Sequence, residues 1–266
     1  MRRGFEIAAA VVCVGMTVPM ADAHEFWING TTRQQDGQTL LELDLKVGQM
    51  LDGISLPFVP ENVTRFEWIQ GGIGPIVGGL GDLPAATVQL QDQGPTIIFH
   101  RTAARRLVHN DWEKFLEYLT LEGLRDAAAL HEARGLPKTG FSESYTRHAK
   151  LVLLGDGPAK LEDRNLGSPL EIVLEKVERR GAGLVIEGRV EGTGSQRSRQ
   201  INVFQAEGQN VSTRNLGTKE DGTFAINLPS AGSVLLNVVD LTSRSPSDAD
   251  WHSDWASAFI DTIPTE

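Results

Sequence analysis

Between Thr39 and Val47 the chain alternates without a break, with Leu41, Leu43, Leu45 and Val47 on one side and Glu42, Asp44 and Lys46 on the other. Successive side chains of a β-strand point to opposite faces, so this pattern describes a strand with one face buried and one wet. Comparable runs recur over 63–69, 86–90, 96–100, 145–153, 170–177, 183–190, 200–206, 222–228, 233–241 and 256–263, separated by turn formers such as Glu220-Asp221-Gly222 and Ser230-Ala231-Gly232. Many short half-apolar strands bury their faces only by packing sheet on sheet. The expected fold is therefore mainly β, with two β-sandwich-like domains. A β-rich domain is expected over 24–160, and an immunoglobulin- or transthyretin-like sandwich over 166–264, joined by the polar stretch 159–168.

One segment breaks the period. Asn110 or Asp111 stands where a helix cap belongs, and Trp112, Phe115, Leu116 and Leu119 then recur at helical spacing until Gly123. A second helical piece runs from Leu124 to Ala133 and stops at Gly135, with Pro137 beyond. This predicts a short α-hairpin insertion at about 111–134, its aromatics serving as core. The glycine-rich run 71–81 has no Gly-Lys-Ser/Thr and no following helix, so it is neither a P-loop nor a dinucleotide fingerprint.

The N-terminus reads as an export signal. Arg2 and Arg3 precede an apolar run from Ile7 to Met20, and Ala21-Asp22-Ala23 has the small-x-small form cut by signal peptidase. Residues 1–23 are thus expected to be removed, leaving His24 first. A histidine at a free N-terminus offers two ligands to one metal ion, its α-amine and its ring Nδ1. The sole cysteine is Cys13, inside the signal, so the mature chain is expected to have no disulfide, thiolate zinc site or thiol nucleophile. No later apolar run approaches the ~18 residues that cross a bilayer. A protein without a membrane span after cleavage, soluble and periplasmic or otherwise extracytoplasmic, is expected. Its net charge of −10 repels phosphate backbones, so nucleic acid is not an expected partner.

No Gly-x-Ser-x-Gly elbow, no His-Glu-x-x-His and no cysteine pair is present, and nothing beside Ser144 marks it as a nucleophile. The chain does not read as an enzyme. Metal ligation remains, and three of the histidines are candidates. His24 would supply amine and ring; His100 ends an apolar strand; His252 lies in Asp248-Ala249-Asp250-Trp251-His252-Ser253-Asp254-Trp255, an acidic loop between tryptophans. His109, before the helix cap, and His131, beside Glu132, read as surface residues.

Five blocks carry a resemblance: His24-Glu25-Phe26-Trp27-Ile28; Phe115 to Leu119 with Glu122-Gly123-Leu124; Glu143 to Lys150; Pro169 to Val173; and the strand from Asp221-Gly222. In that order they resemble the secreted and periplasmic proteins, built on a domain of unknown function, that accompany nickel and cobalt uptake systems. The resemblance implies a periplasmic protein that binds or delivers a divalent transition metal, nickel or cobalt foremost, beside a membrane metal-uptake transporter; copper suits the same imidazole ligands. His148 stands where that family more often has tyrosine, so no ligand role is carried onto it. Two other readings stand beside this one: a copper enzyme with a histidine brace at His24, and a metal-free adhesion or scaffolding module.

Overall fold

A computed structural model describes residues 25–90, 94–154, 161–193, 197–229, 232–244 and 249–261. The expected signal at 1–23 and His24 lie outside these residues, as do Asp248 and the end, at 262–263, of the last expected strand.

The chain is mainly β with a short helical insertion. It opens with a hairpin of β1 (Glu25–Gln35) and β2 (Gln38–Gln49). Asp36 and Gly37 turn it, both at positive φ, as a two-residue loop matched to strand twist requires. Then come β3 (Asp52–Leu56), β4 (Val63–Ile69), β5 (Ile73–Pro75), β6 (Ala86–Gln89), β7 (Thr96–Thr102) and β8 (Arg105–His109). Helices α1 (Trp112–Leu121) and α2 (Ala127–Ala133) precede the long β9 (Phe141–Leu153). The remaining strands are β10 (Leu170–Arg180), β11 (Gly183–Gly192), β12 (Gln200–Glu207), β13 (Asn210–Gly217), β14 (Thr223–Leu228), β15 (Val234–Ser243) and β16 (Trp251–Asp261).

A nine-stranded sheet forms the centre, in the order β13-β12-β15-β16-β9-β7-β4-β5, with β8 also paired to β9. Its β9 and β16 run parallel, Glu143 opposite Trp251 through Leu153 opposite Asp261. Segments 24–160 and 166–264 thus contribute strands to one shared sheet. On one face, Ile98, Leu151, Phe204, Leu235 and Phe259 pack against Phe26, Trp27, Leu41 and Leu43 of the sheet formed by β1, β2, β3 and β6. On the other, Ile97, Phe99, Val203, Leu236, Ala258 and Ile260 pack against Ile172, Leu174, Ile186 and Phe224 of the three-stranded sheet β10-β11-β14.

The helices cover the far end of the first face. Asp111 caps α1, its carboxylate accepting from the backbone N–H of Glu113 at 3.0 Å and Lys114 at 3.2 Å. Phe115, Tyr118 and Leu119 then pack on Phe141, Tyr145, Trp251 and Trp255. Gly123 ends the helix at φ +70°, and a Cβ there would lie 2.8 Å from Gln200. The chain therefore drops at once onto the sheet, which brings Glu122 inside.

Besides β1, which the expected β-rich domain covers without bounds, the sequence reading misses β3, β5, β8 and β13. Each is short or lies largely exposed, so none has a one-sided apolar pattern. The acidic segment expected to be a loop is also a correction: Trp251 to Trp255 are strand, hydrogen-bonded between β15 and β9.

Candidate functional site

The histidines singled out in the sequence do not meet. His100 lies on the sheet face covered by β1, its ring 5.5 Å from that of Phe26 and 5.1 Å from that of Phe66. It is 1% exposed and neither ring nitrogen has a hydrogen-bond partner. Burial among apolar groups pushes its pKa down to about 3, so the ring is neutral. His252 alternates onto the opposite face, where Ser144 and Asp254 occupy its nitrogens at 2.7 and 3.4 Å. His24 lies outside the described residues.

Two carboxylates that the sequence reading passed over are buried, Glu25 at the start of β1 and Glu122 directly after α1. Glu25 is 7% exposed, and its Oε2 has no hydrogen-bond partner. Glu122 is 5% exposed, and its Oε2 accepts from the side-chain amides of Asn202 at 2.9 Å and Asn237 at 3.3 Å. Desolvation pushes Glu25 up to about 7, against a backbone hydrogen bond that lowers it. Desolvation also pushes Glu122 up to about 8; the charge of Glu25 adds to the rise, and the Asn202 amide opposes it. Glu122 further stands at the C-terminal end of α1, where the helix dipole disfavours negative charge. A carboxylate next to a helix-ending glycine is the signal that sequence reasoning had available for this site.

Two other buried charge clusters on the sheet hold opposite charges together. Lys150 reaches Asp163 and Glu171, each at 2.8 Å, and Arg199 reaches Asp240 at 2.9 Å. These account for themselves as structure. Glu122 instead receives neutral amides, which leave its charge uncompensated in a medium where an unpaired ion is costly.

On the opposite face, Asp254 collects donors. His148 Nε2 lies 3.1 Å from its Oδ1, Thr146 donates its hydroxyl to the same oxygen, and His252 Nε2 lies 3.4 Å from Oδ2. Burial opposes the charge of Asp254, but the bonds from His148, His252 and Thr146 overcome it and hold the carboxyl well below the usual range.

His109 and His131, expected at the surface, are not there. His131 is 0% exposed; its Nδ1 accepts from Trp251 Nε1 at 3.1 Å, and its Nε2 lies 3.0 Å from the carbonyl of Pro137. It ties α2 to the sheet. His109 Nε2 lies 2.8 Å from Glu143, whose other oxygen accepts from Ser253.

Among the described residues, no group of three or more His, Cys, Asp or Glu is arranged to hold a metal ion. None of the described helices is long and apolar enough to cross a membrane. No protein-family model matches the chain, and no curated protein matches it.

Proposed function

We propose that the protein binds a divalent transition metal, nickel or cobalt foremost, as cargo outside the cytoplasm and passes it to a membrane metal-uptake transporter. The observation that carries this reading is the pair of buried carboxylates Glu25 and Glu122, one of them directly after His24. A cation supplies the charge that their surroundings lack. With residues 1–23 removed, His24, directly before Glu25 in the sequence, would supply an amine and a ring nitrogen, and a mixed nitrogen and oxygen set suits borderline divalent ions. Both nitrogens must be deprotonated to bind, at reference pKa values near ~6.5 and ~7.7 to 8.0, so affinity falls below neutral pH.

The test has two parts. N-terminal sequencing of exported protein should begin at His24. Calorimetric titration of nickel, cobalt and copper into the mature, Met-extended, His24→Ala and Glu122→Gln proteins should then show each change weakening nickel binding by on the order of 10- to 100-fold. Equal affinity in all four proteins sinks the proposal.

One observation favours copper at the same end of the molecule. The buried ring of His100 has both nitrogens unpartnered and packs on Phe26, two residues after His24. A histidine brace would use that ring as its third nitrogen. Copper binding lost in His100→Phe, with peroxide-dependent turnover in the parent, supports that reading over nickel delivery.

A further inference from the structure

We propose that Ser144 is a nucleophile, with His252 as its base and Asp254 as the residue that positions the base, forming a site for carboxylic esters on the sheet face opposite Glu25 and Glu122.

Strand register assembles the group. In the parallel pair β9 and β16, Ser144 stands opposite His252 and Thr146 opposite Asp254. Their side chains therefore share one face, side by side. Ser144 Oγ lies 2.7 Å from His252 Nδ1, within reach for direct proton transfer. With Nδ1 accepting that hydrogen bond, the ring proton sits on Nε2, 3.4 Å from Asp254 Oδ2. The order is nucleophile, imidazole, carboxylate, the arrangement that activates a serine hydroxyl. Asp254 is kept anionic by a second imidazole, His148, and by the Thr146 hydroxyl. It can therefore stabilise an imidazolium at position 252 without taking its proton.

A cation lies alongside. Antiparallel pairing of β8 with β9 puts Arg106 directly opposite Ser144, and its Nη2 donates to Ser142 Oγ at 2.9 Å. This guanidinium is placed to meet negative charge developing next to Ser144 Oγ. His252 and Asp254 are buried, at 8% and 7% exposed, so the exposed end of the group is Ser144. Ser144 itself is half-buried, so its hydroxyl is not sealed inside.

The step balances within the site. Ser144 Oγ bonds to the ester carbonyl carbon as its proton passes to His252 Nδ1, and the carbonyl π pair moves onto oxygen facing Arg106. Collapse of that intermediate breaks the carbon–alkoxide bond, and the imidazolium returns the proton to the departing alcohol. Water then attacks the acyl-serine by the same route, releasing the acid and restoring Ser144.

The experiment is covalent labelling of the full chain with a fluorophosphonate in the presence of EDTA, which removes any contribution from bound metal. Ser144 attacks phosphorus, fluoride leaves, and the proton goes to His252. The expected result is one adduct, mapped to Ser144 by peptide mass spectrometry and missing in Ser144→Ala. His252→Gln should slow labelling by about 100-fold or more, the range general-base catalysis supplies. Asp254→Asn should slow it while leaving the thermal unfolding midpoint of the labelled and unlabelled protein in the same order. p-Nitrophenyl acetate hydrolysis should fall in kcat in the same variants with KM unchanged. No adduct at Ser144 in folded parent protein overturns the proposal whatever the variants do, as does labelling that His252→Gln leaves at the parent rate.

Discussion

Replacing Glu122 by glutamine should make the protein more stable, and increasingly so as pH rises. The folded-state pKa of Glu122 is raised to about 8 from an ordinary 4.5. For a group raised in this way, stability is fully present below the ordinary value and is lost as pH climbs through the folded value. Integrating the proton linkage between those two limits gives a loss of about 1 kcal/mol at pH 5 and about 5 kcal/mol at pH 9. Glutamine keeps the shape and an oxygen for the Asn202 amide but has no proton to lose. The difference between variant and parent cancels every titration not coupled to Glu122; Glu25, whose charge adds to the shift, changes with it. Urea unfolding at pH 5, 7 and 9, with EDTA present, should therefore show the two proteins separating by about 4 kcal/mol across the range. Added nickel should reverse the order at pH 8, because binding to the folded parent stabilises it by mass action and the variant has lost a ligand. Parallel stability curves for parent and variant would refute the claim that Glu122 is a buried carboxylate without a compensating charge.

Lys150→Met should behave in the opposite sense to Glu122→Gln: it leaves Asp163 and Glu171 buried together without their cation, at a cost of about 3 to 5 kcal/mol, read as a lower urea midpoint at pH 7 that partly recovers on acidification. His131→Ala should cost about 2 to 4 kcal/mol, since it opens a cavity and strands the indole N–H of Trp251, and quenching or a red shift of tryptophan emission should accompany it. Residues 166–264 expressed alone should self-associate or collapse without a cooperative transition, because removing β9 bares the full edge of β16; cooperative unfolding of a monomer would show that this half forms its own core.

Much of the fold is legible because local periodicity and burial agree. Leu41, Leu43 and Leu45 alternate in the sequence and are all buried in β2, and Phe115 and Leu119 recur at helical spacing and lie beneath α1. Asp111 announces its cap role by type and position. The polar interior is where this agreement fails. Trp251-His252-Ser253-Asp254-Trp255 reads as an acidic loop because it shows neither the period-two alternation nor the short apolar run that marks a strand in a sequence. In the structure both faces of that strand are buried, so polar residues on either side find partners across strands rather than in water. Glu122 and Glu25 likewise look like two of many scattered acids.

By itself the sequence determined what local chemistry controls: a β-rich chain, an α-hairpin with its cap and its stop, and an interior of apolar strands. It also settled that Cys13 is the only thiol. Tertiary structure alone decided which residues meet. Ser144 and His252 are 108 residues apart and touch only because β9 and β16 pair in parallel with that register. A shift of one residue would turn every side chain of β16 to the other face. His100 and His252 stay apart because β7 and β16, on either side of β9, carry them on opposite faces of one sheet. Such choices belong to long-range pairing and burial, and no window of neighbouring residues contains them.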